Sequence, residues 1–427
     1  MSNAVHWPLV VASMVSLGAS IAASVVLHSA GDRSEAAVVV AVTLLWGAVV
    51  LGLRNRLDRG TPWLVFGVAL AIRFVLIGTP PLLSDDLYRY LFEGKALWAG
   101  HNPLVSAPAT LPGLDDALLA QVNHPDVSTV YPPVALLWFR LLALAGTPTA
   151  VQLGSAMVDA LTPLALLVAT RRYWPAWVYA LHPLPVLEGA HSGHLDVLAV
   201  GLAAWGVAAF RRNRAMAAGT LLLAGGGVKL LPFALLPRVL KQLRRVWPLL
   251  VWAALGLAIS GPFVAAGVEG LAGIQRYARE WTFNPVAYAL VDPWLGSWTR
   301  PLLVALGGAV ALRALRHDDP GRTWLEIGTG FVLLSPTVHP WYLLWALVPG
   351  LLCESGRWAA ASVAYLPAYL VLLTFDPATG EWSEAPWMPF VTWLPALVAF
   401  VATHSRREYP ATMAYPPANS SKNGSDR

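Results

Sequence analysis

The sequence predicts an all-α fold, a polytopic helical bundle embedded in a membrane. Of its 427 residues, 56% are hydrophobic and only 12% charged, where a soluble domain carries roughly 25% charged residues. Apolar runs of about 15–22 residues recur from end to end, few with a charge near the middle. The basic residues fall in short clusters between those runs, so the pI near 9.4 reports topology, positive loops being retained in the cytoplasm. No nucleic-acid partner is expected. The lone Cys353 excludes an internal disulfide and a cysteine metal cluster.

The first run, Trp7 to Leu27, is too long for a cleavable signal peptide and lacks a basic flank, so it reads as a span. Arg54, Arg56 and Arg59 follow the second span and mark that loop, and with it the N-terminus, as cytoplasmic. The third span, Trp63 to Gly78, then delivers Ser84-Asp85-Asp86-Leu87-Tyr88-Arg89-Tyr90 to the outer face. A short amphipathic helix lying in the interface follows, with Phe92 and Trp98 at helical spacing. The later basic clusters, from Arg171-Arg172 to Arg406-Arg407, agree on one orientation only if Pro132 to Ala145 does not cross. Its double proline start, internal Arg140 and short length suit a non-crossing helix. Ala215 to Pro237 must cross twice, with Gly225-Gly226-Gly227 as the expected break and Lys229 at the outer turn. These readings give about thirteen or fourteen spans in a single domain over residues 1–404, with a first long outer loop at 79–149. Both termini are expected inside, and the polar tail, residues 405–427, is expected to be disordered.

The outer loops share a chemistry. The first carries Asp85, Asp86, Arg89, Lys95, His101 and His124; the second reads Glu188-Gly189-Ala190-His191-Ser192-Gly193-His194-Leu195-Asp196. Lys229 comes next, then Arg276 to Asn284, then Ser335-Pro336-Thr337-Val338-His339-Pro340-Trp341-Tyr342. Ionisable groups at membrane depth point to function by default. Bland roles compete at each position. Ser84-Asp85-Asp86 also suits a helix N-cap, His191, Ser192, His194 and Asp196 a polar turn, and Lys229 a snorkelling side chain. His339 also fits a satisfied helix-end histidine, Arg276 and Arg279 a solvated helix face, and Glu188 and Asp159 a simple ion pair. His191, His194 and Asp196 have the look of metal ligands, without a defined set of donors. That all these groups fall on one side of the membrane favours the functional reading.

Asp86-Leu87-Tyr88-Arg89-Tyr90 followed by Gly100-His101-Asn102-Pro103-Leu104 resembles the first extracytoplasmic loop of glycosyltransferase-C enzymes, in particular bacterial polyprenol-phosphate-mannose-dependent alpha-mannosyltransferases. The likeness extends through Tyr131-Pro132-Pro133, Gly193-His194-Leu195-Asp196, Lys229-Leu230-Leu231-Pro232 and His339-Pro340-Trp341-Tyr342, covering residues 63 to 400. It implies a large helical bundle with interfacial helices in the first outer loop. It also implies an enzyme at the outer face of the cytoplasmic membrane that moves a sugar from a polyprenyl-phosphate donor to the hydroxyl of a glycolipid or glycan. The loop-one aspartate that serves as base in the family maps onto Asp86, with Asp85 as the other candidate. Adjacent Asp85-Asp86 departs from a spaced Asp-x-Asp pair, which leaves metal use open; no cofactor is required, and a divalent metal stays compatible.

Displacement of a phosphate needs no general acid, only a base for the acceptor proton and cations near the leaving phosphate. Asp86 fits the first role, with Asp85 beside it expected to raise its pKa by like-charge repulsion. Lys229, Arg89 and His339 are the expected cations. His101, His191, His194, Asp196, Trp341 and Tyr342 complete the expected substrate site. A single displacement on a beta-linked donor yields an alpha-linked product. The rival readings are an arabinosyl or aminoarabinosyl transferase of the same fold, and a lipid-linked-substrate transporter or flippase. The transporter would show related halves and midplane charges, neither of which the sequence displays.

Overall fold

A computed structural model describes residues 35–53, 57–264, 266–374 and 383–403. The expected first span, Arg54 and Arg56, and the expected disordered tail lie outside the described residues. Among those described, the chain is helical, and the sole strand-like contact is a bridge between Phe283 and Thr337. The α-helices of seven residues or more begin with α1 (Glu35–Leu53), α2 (Pro62–Phe74), α3 (Asp86–Trp98) and α4 (Pro133–Leu142). They continue as α5 (Pro148–Asp159), α6 (Thr162–Thr170), α7 (Tyr173–Leu181), α8 (Asp196–Arg211) and α9 (Ala215–Val228). Next are α10 (Leu236–Gln242), α11 (Trp247–Val264), α12 (Ala272–Glu280), α13 (Ala287–Leu295) and α14 (Thr299–Ala314). The last are α15 (Pro320–Leu334), α16 (Leu344–Leu352), α17 (Arg357–Ala364) and α18 (Met388–Ala402).

Several starts are written locally in the sequence. Thr61-Pro62, Thr147-Pro148 and Asp319-Pro320 each place a capping oxygen before a proline at the first helical position. Their side chains accept hydrogen bonds from Leu64 N, Ala150 N and Arg322 N. The proline has no N–H to leave unsatisfied, and the cap satisfies one that would be.

Among the described residues, two helical stretches are long and apolar enough to cross a membrane: Pro148–Thr170, of 23 residues, and Ala287–Ala314, of 28. The remaining apolar helices are shorter, among them Pro62–Phe74, Ala215–Val228 and Met388–Ala402. α4 has 10 residues, about half of the ~20 that a crossing helix needs. It lies against α3 where Gly94 meets the Phe139 carbonyl; a Cβ on Gly94 would stand 2.2 Å from that oxygen. α3 is less amphipathic than expected. Leu87, Arg89, Tyr90, Leu91, Phe92, Glu93, Gly94 and Ala96 are all buried, because α4 covers one side and α5 another.

The triglycine does not break its helix. α9 runs through Gly225-Gly226-Gly227 to Val228, and the reversal comes at Lys229 and Leu230, as the expected turn with Lys229 requires. The glycines instead admit close neighbours on three sides: a Cβ would meet Ala199 O at 3.3 Å, Phe233 Cδ1 at 2.3 Å and Val134 Cγ2 at 2.4 Å, respectively.

At the centre, Arg73 of α2 donates through Nε to Asp159 Oδ2 of α5 at 2.6 Å, and both side chains are 0% exposed. Asp159 Oδ1 accepts from Tyr179 OH of α7 at 2.5 Å, and Arg73 also donates to the Ala180 carbonyl at 3.1 Å. The ion-pair reading for Asp159 is therefore the structural one. On the same face of α5, Gln152 and Ser155 precede Asp159 at helical spacing. Gln152 bridges Gly78 N, Thr79 O and His191 O, each at 2.8 Å. Ser155 donates to Gly193 O at 3.1 Å. One polar stripe thus ties the end of α2 to the loop before α8.

Removing one partner of a buried pair strands the other charge and costs about 3–5 kcal/mol, whereas replacing both with apolar residues is far milder. Asp159→Leu should therefore lower the melting temperature in detergent sharply, and Arg73→Met with Asp159→Leu should recover most of the loss. A single variant as stable as wild type would contradict this arrangement.

Candidate active site

Asp85 and Asp86 sit at the start of α3, but neither caps it. Asp85 occupies the N-cap position without a side-chain capping bond. Both carboxylates accept instead from the one amide nitrogen of Asn123, at 2.7 Å to each Oδ1. Asn123 is held in turn by Arg89. That guanidinium donates to Asn123 O at 2.9 Å, His124 O at 3.1 Å, Val127 O and Glu93 Oε1. Arg89 is thus committed to folding loop 123–127 and is not available as a phosphate-binding cation.

The free side of Asp86 faces residues brought from three distant segments. Oδ2 lies 3.6 Å from His194 Nδ1 and 3.4 Å from the Tyr90 hydroxyl. Asp196 Oδ1 accepts from Trp345 Nε1 at 2.8 Å, and Oδ2 pairs with Lys229 Nζ at 3.1 Å. Lys229, 24% exposed, is flanked by the Tyr131 ring at 5.7 Å and the Tyr342 ring at 5.6 Å. Aromatic rings hold its ammonium without neutralising it.

An aromatic stack roofs the site. His194 lies on Trp341 at 3.9 Å, Trp341 on His339 at 4.4 Å, and His339 on Phe283 at 4.8 Å. Tyr342 meets His339 edge-on at 5.6 Å, and its hydroxyl is 2.5 Å from that of Tyr277. Gly193 makes the turn into His194 with φ +68, a left-handed conformation in which a side chain would be strained and pressed against Val151.

Two expected site residues are elsewhere. His101 lies beyond the C-terminal end of α3 and is exposed, some ~20 Å along the helix from Asp86 at 1.5 Å per residue. His191 is a brace. Its Nε2 accepts from Leu82 N at 3.1 Å, which leaves Nδ1 to donate to Thr79 Oγ1 at 3.0 Å, so neither nitrogen is free for substrate. Trp98 pins α3 to α4 by donating to Arg140 O at 2.8 Å. Arg276 pairs with Asp126 at 2.7 Å and with Glu280 at 2.9 Å, joining α12 to the first loop. No group of three or more His, Cys, Asp or Glu among the described residues is placed to hold a metal ion.

The electrostatics reverse one expectation. Burial, and then the charge of Asp86, push Asp85 up to about 6. Burial also acts on Asp86, but His194, the Asn123 hydrogen bond, His339 and Lys229 outweigh it and hold Asp86 below the ordinary carboxylate range. The like-charge penalty falls on Asp85, where Asn123 and Arg89 offset burial only in part, while Lys229 adds its charge on the Asp86 side. Burial pushes His194 down to about 4 and His339 to about 3, so both are neutral near pH 7. His339 is then a hydrogen-bonding group, and Lys229 is the cation of this cluster.

The sequence reading missed Asn123 and Tyr90 as parts of the site, and left Glu188 as a simple ion pair. Asn123 could have been suspected, because a polar amide two residues before the loop's Pro125 has no local partner. Tyr90 sits one helical turn from Asp86, a spacing that was visible.

Asp85 with a raised pKa favours the folded state most when protonated, and that contribution is lost as pH rises from about 4 through about 6. Asp85→Asn should accordingly melt higher than wild type at pH 7.5, with a stability gain of roughly 3 kcal/mol at 1.36 kcal/mol per unit. The gain should disappear toward pH 4, and a pH-independent difference would contradict the assignment.

The family model for the N-terminal domain of alpha-(1->6)-mannopyranosyltransferases matches residues 7–245. The alpha-(1->6)-mannopyranosyltransferase A of Mycobacterium tuberculosis (strain ATCC 25618 / H37Rv) is 27% identical over 439 residues, spanning 88% of this chain and 83% of that protein. No solved structure matches. The chain belongs to the alpha-(1->6)-mannopyranosyltransferase family and is a glycosyltransferase.

Proposed function

We propose that the protein transfers a mannosyl residue, with inversion, from polyprenyl-phosphate-mannose to an acceptor hydroxyl of a glycolipid or glycan. Asp86 acts as general base. The observation that carries this reading is the convergence of Asp86, His194, Lys229 and His339, from four separate chain segments, on one small space roofed by Trp341.

In this reading the acceptor hydroxyl loses its proton to Asp86 as its oxygen bonds to the anomeric carbon. The bond from that carbon to the phosphate oxygen breaks, and polyprenyl phosphate leaves with the electron pair. Its charge grows during the step, where the Lys229 ammonium stabilises it most. Asp86 is ionised at neutral pH and held by Asn123, so its proton-accepting oxygen is fixed before substrate arrives. Trp341 and Tyr342 offer ring faces to a sugar.

We place the enzyme in the cytoplasmic membrane, with many spans, cytoplasmic termini and its site at the outer face; the apolar surface supports the membrane setting. The Ala287–Ala314 stretch is only 11% buried, and it exposes Leu290, Trp294, Val304 and Leu312 at 71%, 86%, 75% and 72%. Apolar patches of that kind cover a lipid-facing surface more readily than a wet one. They also suit an enzyme whose donor carries a polyprenyl chain and enters sideways from the bilayer.

With labelled polyprenyl-phosphate-mannose and an alpha-(1->6)-linked dimannoside as acceptor, Asp86→Asn should lower kcat by about 10²–10⁴-fold, the usual contribution of a positioned base. Lys229→Met should lose about 10²-fold, and Lys229→Arg should retain more than Lys229→Met. Wild-type rates in Asp86→Asn would remove the base from Asp86, and a product with the donor's own anomeric configuration would exclude single displacement.

A further inference from the structure

One buried acid is left unexplained by this chemistry. The chain between α7 and α8 widens into a π turn over Leu187–His191, a feature that often accompanies functional sites. It turns Glu188 inward. The Glu188 side chain is 0% exposed, and neither carboxyl oxygen accepts an aligned hydrogen bond among the described residues. Oε2 stands 3.3 Å from His194 Nε2, whose other nitrogen is 3.6 Å from Asp86 Oδ2. The three groups form a line: carboxyl, imidazole, carboxylate.

The surroundings decide the protonation of that line. Glu188 is faced by Asp86 from α3, Asp196 from α8, and His194 and Ser192 from its own loop. Behind Gly189, the Asp159 carboxylate is paired with Arg73. Lys229 is engaged by Asp196. Burial, then Asp196 and Asp86, push the Glu188 carboxyl well above its ordinary range. A protonated Glu188 has one hydrogen to give, and its neighbour on that side is His194 Nε2. Accepting there leaves the imidazole hydrogen on Nδ1, facing Asp86.

We infer that Glu188 is a positioning residue, which through its own O–H holds His194 in the Nδ1–H tautomer and so orients the Asp86 carboxylate for proton abstraction. This rests on the reading of Asp86 as base. The proton taken from the acceptor ends on Asp86. Glu188 and His194 keep theirs, so the line gains one proton per turnover and returns it to water with product release. The acid matters as a donor and not as a charge.

Two substitutions separate that role from packing. Glu188→Gln keeps a donor for Nε2 and should retain kcat within about threefold. Glu188→Leu fills the space without a donor and should lose about 10–100-fold in kcat, the range of one unmade buried hydrogen bond, with KM little changed. Its melting temperature should equal or exceed that of wild type, because no polar carboxyl remains buried. Full activity in Glu188→Leu, or an equal loss in both variants, would overturn the inference, as would loss that follows melting temperature. Infrared difference spectra of wild type against Glu188→Gln give a readout that needs no turnover. A protonated-carboxyl C=O band present only in wild type is expected, and a carboxylate band in its place would refute the proposal. Because Asp86→Asn should lose about 10²–10⁴-fold in kcat whatever Glu188 does, wild-type rates in that variant would fault the reading of Asp86 as base, a failure distinct from that of the two Glu188 variants.

Discussion

The buried pairing of Arg73 with Asp159 is the interaction on which the rest of the site depends. Two charges without access to water must satisfy each other, so α2, α5 and α7 have one relative arrangement that leaves neither stranded. α2 leads directly into the Asp85-Asp86 segment, and α7 leads into the π turn of Glu188. The polar stripe of α5 extends the constraint outward. Gln152 and Ser155 hold the backbone at Thr79, His191 and Gly193, the hinges from which Asp86 and His194 are presented. The cluster around Asp86 is thereby set by helix packing and not by loop preference.

Above that frame, adjacent aspartates are given different jobs by asymmetric surroundings. Asn123 binds both, but Lys229 and the two histidines lie on the Asp86 side alone. Asp86 stays ionised, and Asp85 carries the repulsion. The neutral histidines keep the aromatic stack with Trp341 and Phe283 free of a second positive charge, which leaves Lys229 as the cation proposed to meet the leaving phosphate. Pairing with Asp196 keeps Lys229 in place between substrates.

Much of this was legible in the sequence. The all-helical class followed from composition. The shared sidedness of Asp86, His194, Asp196, Lys229, His339 and Trp341 followed from the basic clusters, and these residues do lie together. What the sequence concealed was the use of hydrogen-bonding capacity. Arg89 and His191 look like ligand-binding groups by residue type, yet loop carbonyls together with Glu93 occupy the first, and Leu82 N together with the Thr79 hydroxyl occupies the second. The triglycine looked like a break, but three close neighbours make glycine necessary inside an intact helix. Glu188 was hidden for the opposite reason, because its meaning lies in the partners it lacks.

The most direct test of the account is a structure of the protein with a non-transferable polyprenyl-phosphonate analogue of the mannose donor. The phosphonate should lie within about 3 Å of Lys229 Nζ, as a charge-assisted contact requires. Asp86 should face the anomeric carbon from the side opposite the phosphonate, with room for an acceptor oxygen about 3–3.5 Å away. A donor bound with its phosphonate remote from Lys229, or with Asp86 on the phosphonate's own side of the sugar, would contradict it.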